Sequence, residues 1–244
     1  SGNLLDLWNF NQSKFAVDYS GLVKTQAGVS FDSISNKPTA NLISATDPLG
    51  AGGTGAYSTL ASLPDDPANH GSATYNGYIY VTGGFTGAVY TSAVYFAKAN
   101  SDGTIGAWQT TTALRAISGY HTTTAYNGYL FVTGGFNSLS LSTAYSTPIK
   151  SDGTLGAWQT LTVLPTIRTG HGITVYNGYL FLIGGHNGSV SFSTVYSAPV
   201  KGDGTIGSWT SLTSTIPALR SNGAVVQYNG YVFVVGGSAN TGVT

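Results

Sequence analysis

The chain contains no cysteine, no methionine and no glutamate. Without cysteine there is no disulfide staple, no thiolate nucleophile and no Cys-ligated metal. The nine acidic residues are all aspartates, and nine Lys and Arg balance them to zero net charge. Charged residues make up 7% of the 244, against about a quarter in an ordinary globular domain. That excludes the basic footprint of a nucleic-acid or anionic-membrane binder and leaves few groups for acid–base chemistry. No apolar run approaches the ~18 residues that would span a bilayer, and no stretch carries a helical period. With no methionine even at its start, the chain is expected to be processed or trimmed, its leader out of view. Solubility then rests on Ser, Thr, Asn and Gly, a composition that points outside the cell or to its surface. Two sequons, Asn11-Gln12-Ser13 and Asn187-Gly188-Ser189, matter only in a eukaryotic secretory host.

What the chain has in abundance is repetition. Gly-Gly pairs at 83–84, 134–135, 184–185 and 236–237 recur at steps of 51, 50 and 52 residues. Asn-Gly pairs at 76–77, 127–128, 177–178 and 229–230 keep the same steps, and Trp108, Trp158 and Trp209 follow at 50 and 51. A fixed period in three independent markers fixes the architecture before any local reading.

Within one unit every signal is β. His121 to Tyr126 is Thr-rich and extended. Asn127-Gly128 supplies the two positive-φ positions of a type I′ hairpin turn. Tyr129 to Thr133 (YLFVT) is a continuous apolar run, as in a strand covered on both faces. Gly134-Gly135 ends it. Ser142 to Ile149 reads as a third strand, Asp152-Gly153 as a turn, and Gly156 to Thr162 as a fourth strand. Four short antiparallel strands per unit of about 50 residues make the blade of an all-β propeller.

The unit resembles a kelch repeat. The apolar run, the Gly-Gly pair and a spaced Tyr and Trp are here YLFVT, Gly134-Gly135, Tyr145 and Trp158, matched by Tyr95/Trp108 and Tyr196/Trp209. The Tyr-to-Trp spacing is 13 residues each time, longer than the family pattern, which implies a longer loop between the third and fourth strands. That loop carries SDGTIGAW (101–108), SDGTLGAW (151–158) and GDGTIGSW (202–209), which resemble the Asp-box of sialidase-like propellers with different spacing. In either setting the motif is structural. As calcium sites the turns are poor, since each offers one carboxylate and calcium takes 6–8 oxygens.

The clear repeat covers residues 57 to 237 of a single propeller segment, 1–244. Blades are expected at about 70–113, 121–163 and 171–214, with a partial one at 223–244. A degenerate blade is expected at about 14–62, with a hairpin about Tyr19-Ser20-Gly21 and later strands at 39–46 and 55–61. Residues 4–10 (LLDLWNF) are a possible closing strand for the incomplete last blade; a continuation of the chain or a partner chain would complete it.

Four-stranded blades gather the second-to-third and fourth-to-first loops on one face, around the channel mouth. His70, His121 and His171 each start an innermost strand, 13 residues after the aromatic of the fourth strand. Arg115, Arg168 and Arg220 lie in the loops just before, and Phe136, His186 and Asn187 follow the Gly-Gly pairs. Together they are the candidate ligand-binding residues, for a glycan or a protein. The structural alternative for the histidines is that each caps its strand on a neighbouring carbonyl. Neither a tri-histidine metal site nor any other metal or cofactor is expected.

An enzyme of a known propeller type lacks its parts. A sialidase-like site needs a tyrosine nucleophile partnered by a carboxylate, commonly glutamate. A galactose-oxidase-like copper site needs a Cys-linked tyrosine. Ordinary glycosidases need two facing carboxylates, whereas Asp102, Asp152 and Asp203 fall on the opposite face, and Asp65-Asp66 read as a solvated loop. The expected role is a non-catalytic extracellular recognition or adhesion module, or a component of a surface assembly. The alternatives are a carbohydrate-active enzyme with catalytic residues outside this segment, and a self-assembling structural subunit.

Overall fold

The computed structural model describes residues 3–9, 12–18, 23–25, 60–218 and 220–239. The chain divides into two compact units after Tyr57. In the first, β1 (Asn3–Asn9), β2 (Gln12–Asp18) and β3 (Val23–Thr25) form an antiparallel sheet in that order. The 4–10 segment, considered above as a closing strand, is therefore seen as β1, whose ladder partner is β2. The strands expected at 39–46 and, for the most part, 55–61 lie outside the described residues.

The second unit repeats one sheet. Blade A is β4 (Gly71–Tyr75), β5 (Tyr78–Phe85), β6 (Tyr90–Lys98) and β7 (Gln109–Thr110). Blade B is β8 (Thr122–Tyr126), β9 (Tyr129–Thr133), β10 (Ala144–Pro148) and β11 (Gln159–Thr160). Blade C is β12 (Gly172–Tyr176), β13 (Tyr179–Ile183), β14 (Val195–Pro199) and β15 (Thr210–Ser211). β16 (Ala224–Tyr228) and β17 (Tyr231–Val235) pair as a two-stranded blade D. Each first hairpin turns on its Asn-Gly pair with both residues at positive φ, 48° and 81° at Asn127-Gly128, the geometry that matches the twist of the flanking strands.

The fourth strands are shorter than the sequence implies. β11 pairs with β10 only through Tyr145↔Thr160 and Ser146↔Gln159, as β7 pairs with β6 only through Tyr95↔Thr110 and Phe96↔Gln109. The Gly156 N–H turns back instead to the Pro148 carbonyl, at 2.8 Å. A two-residue outer strand presents little free edge to another chain.

The core lies between blades. Tyr80, Val94 and Phe96 of blade A pack with Leu130, Val132 and Trp158 of blade B. Phe131 and Leu161 of blade B pack with Ile173, Leu180 and Ala198 of blade C. Alternate residues of β9 thus serve two joints, which is why YLFVT is apolar throughout.

The DGTxGxW turn closes each joint. Asp152 Oδ1 accepts the Thr154 N–H at 2.9 Å and its hydroxyl at 2.7 Å, and Asp203 holds Thr205 alike. These bonds, the hydroxyl first, hold both exposed carboxyls below the usual carboxylate range. The turn so shaped rests on the preceding blade. Tyr80 donates to the Gly153 carbonyl at 2.9 Å, and Ser146 to the Gly204 carbonyl at 2.7 Å. Trp158 and Trp209 donate from Nε1 to Thr112 and Thr162 carbonyls of the blade before, at 3.1 and 3.3 Å. The motif thus holds neighbouring blades together.

A Cβ on Gly204 would stand 2.2 Å from the Tyr129 ring, whereas nothing described lies within 4 Å of one on Gly103. Both glycines share left-handed backbone, φ 77° and 83°, so the conformational penalty of a side chain cancels between them. Gly204→Ala should therefore cost about 1–3 kcal/mol more than Gly103→Ala, the scale of overpacking a filled site. Urea unfolding of the two variants measures the difference, and equal midpoints would remove the turn from the joint.

Candidate functional site

The loop face is assembled by backbone. In blade B the residue after Gly-Gly, Phe136, exchanges a pair of hydrogen bonds with Gly119 in the loop entering the blade. Phe85 with Ala68, His186 with Thr169 and Ser238 with Ser221 repeat the exchange. The second glycine reaches forward: Gly84, Gly135 and Gly185 N–H groups donate to the carbonyls of Ser118, Arg168 and Arg220 at 2.7–2.8 Å. A Cβ on Gly134 would lie 2.5 Å from the Arg168 carbonyl, so the close approach of two blades needs the bare backbone there.

One row of residues at this face escaped the sequence reading. Asn69, Tyr120, Gly170 and Asn222 each stand two residues before the first of an innermost strand and share φ of 54–58°. Tyr120 N–H donates to the Asn69 carbonyl, Gly170 to Tyr120 and Asn222 to Gly170, at 2.8, 3.1 and 2.7 Å. The signal was present, since Asn and Gly tolerate the left-handed region and fill three of the four places. Tyr120 is the exception, an exposed aromatic held where a bulky residue is strained.

Beside this row the first residues of β4, β8, β12 and β16, with the residue before each, line a cavity of about 410 Å³. The three histidines reach it differently. His121 and His171 are buried, their Nε2 atoms 2.9 Å from the hydroxyls of Thr82 and Thr133 on the preceding blade. His70 is exposed and its ring pairs only with the adjacent Gly71 carbonyl, at 3.3 Å. Two of the three are therefore inter-blade fasteners, their partner a threonine hydroxyl and not the backbone carbonyl the capping reading supposed. Where the threonine position holds Ile183, the histidine position of the next blade holds Gly223.

The other candidates disperse. Arg168 is 1% exposed: it donates to the Gly184 carbonyl and the hydroxyls of Thr194 and Thr166, and stacks over Phe192 at 4.4 Å and Tyr196 at 5.2 Å. It serves the interior of blade C and is closed to a ligand; burial lowers its pKa. Arg115 is exposed and donates to the Trp158 carbonyl at 3.2 Å. Arg220 is half-buried, its backbone bonded to Gly185 and Phe192. The three arginines are not in one register: Arg168 and Arg220 are equivalent, and Ser118 is their counterpart in blade B. Asn187 Oδ1 accepts the N–H groups of Ser189 and Val190 at 3.0 and 2.9 Å, and half-buried His186 accepts Gly188 N–H. Both shape their loop. Phe136 packs edge-on against Tyr90 at 5.9 Å, and Tyr90 against Phe85 at 5.2 Å.

What the loops present outward is apolar. Leu139 is 75% and Val89 62% exposed at the tips of the second-to-third loops, and Val190 stands exposed in the third copy. Ile117 and Ile167 are exposed in the loops entering blades B and C. Sequence reasoning passed over these residues, because it sought polar groups and a lone exposed aliphatic carries no sequence mark.

A tyrosine–carboxylate pair does exist. Tyr95 donates to the exposed Asp65 carboxylate. The ring is buried, and burial followed by the Asp65 hydrogen bond pushes its pKa up to about 12, the reverse of activation. Among the described residues no group of three His, Asp or Glu side chains is placed to hold a metal.

Burial lowers the pKa of His121 to about 4 and of His171 to about 3, with the Arg168 charge adding to the second. Neither Nδ1 has a hydrogen-bond partner, so protonation would bury an unpaired N–H. An unfolded histidine titrates near 6.5, and between that pH and 3–4 the unfolded state binds more protons. Stability from these groups is thus full above about pH 6.5 and falls progressively as pH drops to 4 and then 3. His121→Gln with His171→Gln should flatten the fall in urea midpoint between pH 6.5 and 4. An unchanged acid limb would show that other groups drive it.

Comparison with known proteins agrees with the geometry. Residues 167–197 match the family model described as the Kelch motif. A solved structure described as "Structure of YjhT" superposes with a TM-score of 0.59 at 17% identity, over 73% of this chain and 61% of that one, a likeness of fold alone. This chain thus spans less than two thirds of that neighbour. A search of curated proteins by sequence returns no match. Residues 167–197 of this chain thus match the Kelch motif, and its units of about 50 residues fold as antiparallel blades of a β-propeller, three of them four-stranded among the described residues.

Proposed function

We propose that this protein is a non-catalytic recognition module, working outside the cell or at its surface, that takes an uncharged protein or glycan ligand on its loop face. The observation that carries this reading is the contrast between frame and tip. Identical backbone hydrogen bonds hold the loops of successive blades, while their tips carry Val89, Leu139 and Val190 into solvent. Exposed apolar groups gathered on one face are what a binding surface supplies. The aromatic row Phe85–Tyr90–Phe136 adds flat surface suited to a sugar ring or a peptide side chain. A kelch propeller suits a protein-interaction role, and the zero net charge makes a charged ligand a poor fit. Low charge and the Ser/Thr/Asn/Gly surface support the extracellular setting. Against catalysis stand the buried, high-pKa Tyr95 and the placement of Asp152 and Asp203 in structural turns.

Peptide and glycan arrays probed with the 244-residue protein test the reading. Val89→Asp, Leu139→Asp and Val190→Asp together should weaken every positive signal at least tenfold, since burying one such side chain gives about 1.5–3 kcal/mol. Lys201→Gln, exposed at the opposite end of blade C, should leave the signals unchanged. Retained binding by the triple variant would move the site elsewhere, and hydrolysis of any arrayed sugar would replace recognition by enzymatic turnover.

A further inference from the structure

Six Asn-Gly pairs occur in the chain, and one of them is built differently. Asn76, Asn127, Asn177 and Asn229 sit in the hairpin turns and Asn222 in the left-handed row, all with φ of 45–57°. Left-handed backbone turns the next nitrogen away from a residue's own side chain. Asn187 alone of the six lies outside that region. Its Oδ1 accepts the N–H groups of Ser189 and Val190 at 3.0 and 2.9 Å, which draws the amide carbon over the Gly188 peptide. The Gly188 N–H in turn donates to His186 Nδ1 at 3.1 Å. An Nδ1 that accepts this bond belongs to a neutral imidazole. Burial holds the His186 pKa below the ordinary range, and no charged or titratable neighbour contributes among the described residues. One short loop thus holds a nitrogen nucleophile, a base within hydrogen-bond reach of its proton and two donors on the carbonyl oxygen that would gain charge.

The geometry points to Asn187-Gly188 as a self-modification site, at which the protein converts its own asparagine to aspartyl and isoaspartyl products. The Gly188 nitrogen bonds to Asn187 Cγ while its proton passes to His186. The negative charge that collects on Oδ1 is held by the Ser189 and Val190 N–H groups. The Cγ–Nδ2 bond then breaks, and that nitrogen leaves as ammonia with the proton returned by His186. The Gly188 N–H lies in the peptide plane and the attack comes from above it, so base and electrophile do not compete. Water opens the resulting succinimide ring at either carbonyl. One opening gives an aspartyl residue; the other routes the main chain through Cβ and lengthens it by one carbon, close to Val190. Water and the loop itself are the only reactants. The chemistry stands whether or not the loop face takes a ligand.

His186→Phe removes the base and keeps the fold, because Phe85 and Phe136 stand in the same register of blades A and B with the same backbone bonds. The 244-residue protein, made in a bacterial host so that Asn187 carries no glycan, is held at neutral pH and mapped by mass spectrometry. Isoaspartate is counted by its enzymatic methylation. Asn187 should deamidate at least about tenfold faster than each asparagine of the other Asn-Gly pairs, and His186→Phe should slow it at least about tenfold, a conservative margin for a positioned base. The parent's rate should level off above the pH at which His186 loses its proton, while that of the variant keeps climbing with hydroxide. In urea all the pairs should converge, since base and donors are then dispersed. A folded Asn187 no faster than the hairpin asparagines would overturn the inference. So would an undiminished rate in His186→Phe, a parent rate that climbs with pH like the variant's, or an advantage that survives in urea.

Discussion

The contact on which everything else depends is a tight turn resting on an aromatic ring of the neighbouring blade. Asp152 and Asp203 shape the turn through their own threonines, and glycine lets it sit flat on tyrosine. A tryptophan from the same motif hydrogen-bonds further out on the same neighbour. Fixing that contact fixes the angle between sheets. In blades A to C the second strands are then buried on both faces, and at the far end of the blade the second glycine of the pair meets the carbonyl of the next entering loop. The motif that makes the sequence look monotonous is thus what converts separate sheets, each too small to hold a core, into one structure.

The low charge follows from that construction. A sheet with a neighbour on each side has little surface on which a charge can be solvated, so its polar needs are met by neutral groups. Thr82 with His121, Thr133 with His171 and Tyr80 with Gly153 are bonds of this kind. Among the described residues the cation drawn inside is Arg168, which lies among carbonyl and hydroxyl oxygens and two aromatic faces, the flat, weakly hydrated group best suited to burial.

The fold was legible because its turns have obligatory residue types: Asn-Gly at a type I′ link and Asp-Gly-Thr at the seated turn each have few substitutes. The joints were half legible. YLFVT announced a doubly covered strand, but nothing within one repeat says that Trp158 donates across to Thr112. The site was the least legible part. His121 looked like a channel ligand because histidine is chemically versatile, yet its depth and its partner Thr82 lie on another blade, 39 residues away. Arg168 misled for the same reason. Leu139 and Val89 were missed because exposure of an aliphatic side chain is a property of the folded loop.

Repeats compared in register separate what is locked from what is free. Thr82 faces His121 and Thr133 faces His171, but where Ile183 removes the hydroxyl, Gly223 removes the imidazole. A joint changes on both sides together, because a buried imidazole without its partner would cost about 1–3 kcal/mol. The loop face obeys no such constraint. Its row through Asn69, Tyr120, Gly170 and Asn222 is made by N–H and carbonyl groups alone, so a tyrosine stands in register with a glycine and the bonds still form. Side chains there can change one at a time without disturbing their support. A scaffold locked at its joints and free at its loop tips is one on which a binding surface can vary while the propeller beneath it stays the same.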